Sequence, residues 1–365
     1  MMVTSHLSRL QDVMKKVGFD AVLVTSELNQ RYLSGFNYTD GYVLVLQNKA
    51  YLITDFRYIE AANAKVNKEE FEILMPEGSM TECLAELLAP LGKAVVAIEE
   101  EELSVAGLDA FREAFGKLPV TLVPGASREI VALRMRKDEG EIEIMKRAQA
   151  ITDAAFTHIL GYINPDRTEL DVALELEFFM RSMGSEGTAF ETIAVSGTAS
   201  SMPHGVPRPV KLEKGFLTMD FGARVDGYCS DMTRTVVIGK ADAEMKRLYE
   251  TVKRAQLSAI EAAHAGIGCR YLDSVARNII DGAGYAGTFG HSLGHGVGMF
   301  IHESPRLSAR ADEASVLEPG HVVTFEPGIY LSGKYGCRIE DMATVLPDGS
   351  LYDFTHSPKE LIELC

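Results

Sequence analysis

No CxxC pair, no excess of basic side chains and no apolar run long enough to cross a bilayer occur in this 365-residue sequence. Each absence argues against a class of protein. Five cysteines, Cys83, Cys229, Cys269, Cys337 and Cys365, are odd in number and scattered, which suggests neither a disulfide framework nor a thiolate zinc site and leaves reduced, inert thiols as the expectation. The 52 acidic against 36 basic side chains give a formal charge of −16, which favours solubility and argues against a broad nucleic-acid surface. The stretch "MMVTSHLSRLQDVMKKVGFDAVLV" has amphipathic helical spacing followed by a short apolar strand, not the apolar core and cleavage pattern of a signal peptide. With no apolar span either, the expectation is a soluble cytoplasmic protein that engages neither nucleic acid nor membrane.

What is present is ordinary globular composition, 46% hydrophobic and 24% charged, at a length that favours two domains, each burying a core. Residues 7–17 read as a helix, "AVLVTS" as a buried strand, and "GYVLVLQNKAYLITDFRY" as two strands joined at Gln47–Lys49. Strand and helix signals then alternate through "AVVAIEE" and "LDAFREAF" to "VTLVPGA", the pattern of a small α/β domain. Proline, glycine and serine between Pro124 and Arg128 precede a long helical pattern and set the expected domains at 1–127 and 128–365.

In the second domain an internal echo appears. "KRAQAITDAAFTHILGYINPDRTELDVA" begins at Lys146 and "KRAQLSAIEAAHAGIGCRYLDSVA" at Lys253; each reads as a helix, a glycine-bearing break and a second helix that opens with Leu-Asp. Each copy then runs into glycines and histidine, "PHG" after the first and "GHSLGHG" after the second. The shared order of elements predicts a duplicated helix–helix–strand unit with chemistry between its halves.

Between the copies lies "LTMDFGARVDGYCSDMTRTVVIG", β-rich on both sides of Asp226–Gly227, a strong hairpin signal. A two-residue turn there sets Asp231 opposite Gly222 and Asp220 one same-face step away, about 7–8 Å apart on the diagonal and within side-chain reach of a shared ion. In "HVVTFEPGIYLSGKYGCRIEDMATVLP" the pattern recurs, for Glu326 ends one apolar strand and Glu340 interrupts another. Four carboxylates that converge without cations repel and take up protons, whereas two divalent ions roughly neutralise them. An oxygen-rich set supplemented by imidazole suits manganese, zinc, cobalt or iron.

His291, His295 and His302 crowd into "HSLGHGVGMFIHES". His291 and His295 have the i, i+4 spacing of a helical zinc pair, but Gly290, Gly294, Gly296 and Gly298 make a regular helix improbable, and "HESPR" fails the HExxH pattern. A glycine-rich strand or bend that brings backbone close to a site fits better. One of these histidines is then expected to join the carboxylates, since three would overfill a site that must keep a position for water.

The ordered set "PHG", "MDFGA", "SDMTRT", "GHGVG", "TFEPGIY" and "RIEDM" resembles the Xaa-Pro peptidases, the aminopeptidase P and prolidase branch of the pita-bread metallopeptidase family. It spans roughly residues 129–350, and an ordered set is far more specific than any one motif. "DAVLVTSELNQRYLSGF" also resembles the creatinase-type N-terminal domain of that branch. The resemblance implies an α/β (α+β) protein: a small creatinase-type N-terminal α/β domain followed by a pita-bread catalytic domain with an internal pseudo-twofold repeat. It implies five metal ligands, Asp220, Asp231, His295, Glu326 and Glu340, holding two divalent ions, with manganese as the first expectation. Asp231 and Glu340 would bridge the ions, Asp220 hold one, and His295 with Glu326 the other. Glu326 would also handle the proton of the attacking water. His204 and His302 would stabilise the tetrahedral intermediate from the substrate side, and His291 and Arg338 would contact substrate. Short proline-containing peptides are the implied substrates and a homodimer the implied assembly.

Three alternatives share the fold. A creatinase-like enzyme is metal-independent and expected to lack the acidic set, which is intact here. Methionine aminopeptidases share the ligands but typically lack the N-terminal domain. Non-catalytic binding proteins usually show broken ligands, and here none is broken. The remaining histidines, His6, His158, His264, His321 and His356, are expected to be structural or exposed, and Asp341 to lie behind the ligands or in solvent.

Overall fold

The computed structural model describes residues 5–364, so Cys365 lies outside the described residues. The chain divides into two compact units, residues 1–134 and 135–365. In the first, helices α1 (His6–Val17), α2 (Glu27–Ser34), α3 (Ile59–Lys65), α4 (Met80–Leu88), α5 (Val105–Phe115) and α6 (Ala126–Met135) accompany six strands. These are β1 (Ala21–Val24), β2 (Gly41–Leu46), β3 (Lys49–Thr54), β4 (Phe71–Leu74), β5 (Ala94–Ile98) and β6 (Val120–Pro124), in the sheet order β4-β3-β2-β1-β5-β6. Helix α1 begins because the Ser5 hydroxyl accepts from the Ser8 amide, buries Leu7, Leu10 and Met14 along one face, and stops at Gly18, whose φ of 81° is left-handed. The β2–β3 hairpin closes around Gln47 and Asn48, with Leu46 paired to Lys49, as the sequence suggests. The proline–glycine turn at 124–128 starts α6; the units part at the far end of that helix. Ala126 and Ile130 are buried, and Arg134 donates from Nη1 to Asn29 Oδ1 at 2.9 Å, which anchors the helix to the first unit.

The second unit opens with α7 (Glu139–Tyr162) and α8 (Glu169–Ser182), each started by a reciprocal capping box, Asp138 with Glu141 and Thr168 with Asp171. Strands β7 (Gly187–Thr188), β8 (Ile193–Ser196), β9 (Gly215–Phe221), β10 (Ala223–Val225), β11 (Tyr228–Cys229) and β12 (Met232–Ile238) follow. The second copy repeats the order: α9 (Ala243–Ala262), α10 (Cys269–Ile280), then β13 (Gly294–Gly296), β14 (Glu303–Leu307), β15 (Val322–Phe325), β16 (Gly328–Leu331), β17 (Tyr335–Arg338), β18 (Asp341–Val345) and β19 (Leu351–Asp353). Strand β20 (Glu363–Leu364) returns to pair with β12.

The sequence echo is therefore a structural repeat. In the first copy β8, β9 and β12 are antiparallel neighbours; in the second β13, β15 and β18 are. The first sheet buries Leu217, Met219, Phe221 and Val236 with Phe156, Ile159 and Leu176 of its helices. The second buries Val323, Phe325 and Ala343 with Leu248, Val252 and Leu272. Each fully buried large apolar side chain contributes roughly 1.5–3 kcal/mol of transfer free energy, so each helix pair and its sheet form one core.

Candidate metal centre

The hairpin between the copies places the two aspartates. Asp226 (φ 47°) and Gly227 (φ 89°) are both left-handed, as a two-residue type I′ turn requires. The register they set, Val225 opposite Tyr228 and Arg224 opposite Cys229, continues as Phe221 opposite Met232 and Asp220 opposite Thr233. Gly222 is glycine for lack of room: a Cβ there would lie 1.9 Å from the Ser230 carbonyl oxygen. Glu326 follows β15, Glu340 precedes β18, and His295 is the middle residue of β13. The histidine segment is thus a short strand, and Gly294 has the same steric reason as Gly222, since a Cβ would lie 1.9 Å from the Thr324 carbonyl oxygen.

One cavity of about 350 Å³ is lined by Asp220, Asp231, Glu326, Glu340, His204, His291, His295, His302 and Arg338. Every site residue expected from the sequence reaches it. His295 Nε2 lies 3.6 Å from Asp231 Oδ2 and 3.5 Å from Glu326 Oε1, and Asp231, His295 and Glu340 each offer a ligand atom within 4.8 Å of the others. On its other side the His295 ring meets the Gly296 carbonyl at 3.0 Å through Nδ1, which puts the proton on Nδ1 and the lone pair on Nε2, the tautomer a metal ligand needs. Asp220 Oδ2 is bound to Arg338 Nη2 at 2.6 Å. Its Oδ1 is buried with no protein partner.

Electrostatics point the same way. Burial, reinforced by Asp220, pushes the Glu340 carboxyl up to about 8, and Asp231 and Glu326 are held well above the usual carboxylate range by burial and then by Glu340. Burial pulls His295 down to about 3, so the ring is a neutral donor. Asp220, Asp231, Glu326 and Glu340 share this cavity with one deeply buried cation, Arg338, and an orphaned carboxylate oxygen sits among them. Cationic ligands are the missing partners of such a set.

The substrate-side residues differ in exposure. His204 and His302 are exposed at the cavity, and His302 stands edge-on to His295 with ring centres 4.5 Å apart. His291 is half-buried, with burial and then Arg338 drawing it down to about 3. The five other histidines do not line the cavity.

Three contributors escape sequence reasoning. Tyr330, in "TFEPGIY", links His291 Nε2 (2.9 Å) to Arg338 Nη1 (2.7 Å) through its hydroxyl. Thr233, in "SDMTRT", donates to Glu340 Oε2 at 2.7 Å and accepts from Arg338 Nε at 2.9 Å. Arg306, opposite His295 across β13–β14, is exposed, lines the cavity and has no ion pair or hydrogen bond from its side chain among the described residues. Both Tyr330 and Thr233 lie inside motifs, and a polar side chain in a β-rich stretch flanked by apolar residues is the available signal. Asp341, by contrast, is fully buried and tied to Arg234 at 2.8 Å and Gln256 at 2.7 Å, behind the ligands and out of solvent.

Residues 143–347 match the model of metallopeptidase family M24, and residues 6–136 match the creatinase/prolidase N-terminal domain. The chain belongs to metallopeptidase family M24. It is 35% identical over 362 residues to an Xaa-Pro dipeptidase of Pyrococcus horikoshii, covering 99% of each chain. Its fold superposes on an Xaa-Pro dipeptidase from Bacillus anthracis with a TM-score of 0.91 at 41% identity, covering 98% of this chain and 99% of that one. An X-Pro aminopeptidase from Thermotoga maritima gives 0.89 at 37%, covering 97% and 100%. The second unit is accordingly a pita-bread catalytic domain, its membership of a metallopeptidase family implies divalent metal ions, and the carboxylate–imidazole set fits such ions. As in other members of M24, the enzyme is a peptidase. No helix among the described residues is long and apolar enough to cross a membrane.

Proposed function

We propose that this M24 enzyme hydrolyses the bond between a free N-terminal residue and a following proline, with Xaa-Pro dipeptides as its preferred substrates. The observation that carries the reading is the meeting of four carboxylates, His295 Nε2 and three further histidines in one cavity, supported by relatives named as Xaa-Pro dipeptidases. Asp220, Asp231, His295, Glu326 and Glu340 would hold two divalent ions, with Asp231 and Glu340 shared between them. Manganese is the first expectation, with zinc, cobalt and iron also suited to oxygen ligands plus one imidazole. Bound divalent ions supply Lewis acidity, which polarises the scissile carbonyl and makes water nucleophilic near neutral pH.

The chain's own residues do the rest. Arg338 holds Asp220 Oδ2 and leaves Oδ1 for the centre, while Thr233 fixes Glu340 Oε2. Glu326 takes the proton of the attacking water and passes it toward the departing nitrogen, which in an Xaa-Pro bond is a tertiary amide nitrogen with no hydrogen of its own. His204 and His302, exposed to the cavity, donate to the carbonyl oxygen as charge develops or to the nitrogen as it leaves. His291 and Arg338, joined through Tyr330, contact the substrate. The unengaged guanidinium of Arg306 suits a substrate carboxylate, which favours dipeptides over longer peptides. A homodimer in the cytoplasm belongs to the same reading; Cys83, Cys269 and Cys337 are free thiols.

The test is hydrolysis of Ala-Pro, Ala-Pro-Ala and Met-Ala-Ser after chelation and after added manganese. Manganese-restored turnover of Ala-Pro is expected, with Ala-Pro-Ala slower and Met-Ala-Ser inert. Metal-independent turnover, none under any metal, or preference for Met-Ala-Ser overturns the reading.

A further inference from the structure

The segment that carries His291 has unusual support. Between α10 and β13 the chain from Phe289 to Leu293 belongs to no strand, so its backbone groups need partners from elsewhere. Two side chains one turn apart on α10 provide them. Arg277 donates from Nη1 to the Phe289 carbonyl at 2.7 Å and from Nη2 to the His291 carbonyl at 2.9 Å. Asp273 Oδ1 accepts from the Leu293 amide at 3.1 Å. The two side chains are themselves locked together, Nε to Oδ2 at 2.8 Å and Nη2 to Oδ1 at 2.9 Å, and the guanidinium lies 4.3 Å over the Phe289 ring. Asp273 is 1% exposed, which makes its lock to Arg277 a charge pair shielded from water on one side.

Neither residue lines the cavity. Their effect reaches it through His291, whose carbonyl is gripped by Arg277 while its ring meets Tyr330 Oη at 2.9 Å and stands edge-on to Phe289. Two residues further, the Leu293 carbonyl accepts from the Glu326 amide at 2.7 Å. The clamp therefore sets the backbone from which both a substrate-side histidine and the start of the His295 strand project. Lysine could keep the charge beside Asp273, but its single nitrogen lacks the fixed fork with which Arg277 holds Asp273 and two carbonyls together.

We propose that Asp273 and Arg277 are positioning residues for substrate binding: they hold the 289–293 backbone so that the His291 ring keeps its place in the cavity. The inference rests on the substrate-side role of His291 given above. It is tested with Arg277→Lys, His291→Ala and the double variant, each loaded with manganese and assayed on Ala-Pro. Arg277→Lys is expected to raise KM about tenfold with kcat within about threefold and metal content unchanged. In the double variant KM should be no higher than in His291→Ala alone, because both substitutions remove the same interaction. An unchanged KM in Arg277→Lys, multiplying effects in the double variant, or a KM unmoved by His291→Ala overturns it. A second readout does not need turnover: the histidine ring resonances of the metal-free protein. Arg277→Lys should move those of His291 and leave those of His204 in place; unmoved His291 signals overturn the inference. If wild-type enzyme fails to cleave Ala-Pro, the functional reading falls, and the resonances still decide the clamp.

Discussion

In the first half of the catalytic unit, Asp220 and Asp231 belong to one hairpin that keeps the same register on both sides of a break at Gly222–Ala223 and Ser230–Asp231, from Gly215 opposite Ile238 to Val225 opposite Tyr228. In the second half, Glu326 and Glu340 stand just outside the strands that flank them, and their amides pair elsewhere: Glu326 with the Leu293 carbonyl at 2.7 Å, Glu340 with the Thr233 carbonyl at 3.0 Å. The aspartates are placed by local rules, a turn and a two-residue period. The glutamates are placed by tertiary contacts, one of them to the first half itself. Damage to the seam between the halves should therefore cost the metal centre more than damage to the turn.

The largest effect should follow removal of a charge both halves share. Asp231→Asn deletes a carboxylate that faces His295 and Glu340, and its loss should lower metal-dependent activity by about 10³-fold or more, since Lewis-acid stabilisation amounts to several kcal/mol and each decade to about 1.36 kcal/mol. The fold should survive. Because burial and neighbouring carboxylates hold Asp231 far above its ordinary pKa, the metal-free variant should melt at a higher temperature than metal-free wild type near neutral pH. Full activity would refute the bridging role, and a lower metal-free melting temperature would refute the repulsion. Next comes Thr233→Val, close in shape but without the hydroxyl that binds Glu340 Oε2 and Arg338 Nε. Losing a partner that orients a ligand typically costs 10–100-fold in metal affinity, so a metal titration of the variant should show a drop of about that size, with helix and strand content unchanged. An unaltered titration would mean that the seam at Thr233 is packing alone.

The same contrast explains what the sequence made legible. The Asp226–Gly227 turn, the hairpin register and the repeated helix pair follow from local signals, and the structure has all three. So do the strand at His295 and the alternation of the N-terminal unit, where β1, β2, β3, β5 and β6 fall where apolar runs suggest. The full set of site residues came from the resemblance, because nothing in spacing alone tells Glu326 and Glu340 from any carboxylate at a strand end. The roles of Tyr330, Thr233 and Arg277 stay unassigned in the sequence for a related reason. Each acts across a sequence separation that local patterning does not encode, 105 residues between Thr233 and Arg338 and 14 between Arg277 and His291. The first unit runs one helix past the expected boundary because a turn marks where a helix starts, whereas the side to which that helix docks depends on partners such as Asn29.

The smallest effect should come from the turn that makes the aspartate hairpin readable. Asp226 is the single described non-glycine residue with positive φ, 47°, a conformation Asp tolerates because its short polar side chain bonds locally, and which costs alanine about 1–2 kcal/mol. Its ion pair with Arg147 is exposed on both sides and contributes roughly 0–1 kcal/mol. Asp226→Ala should therefore lower the melting temperature by only a few degrees, at roughly 2–4 °C per kcal/mol for a unit of this size. Metal affinity and Ala-Pro turnover should stay within about twofold, because seven further residue pairs between β9 and β12 hold the same register. A loss of metal affinity comparable to that of Thr233→Val would show that the first half depends on its turn as the second depends on the seam, and would erase the distinction between them.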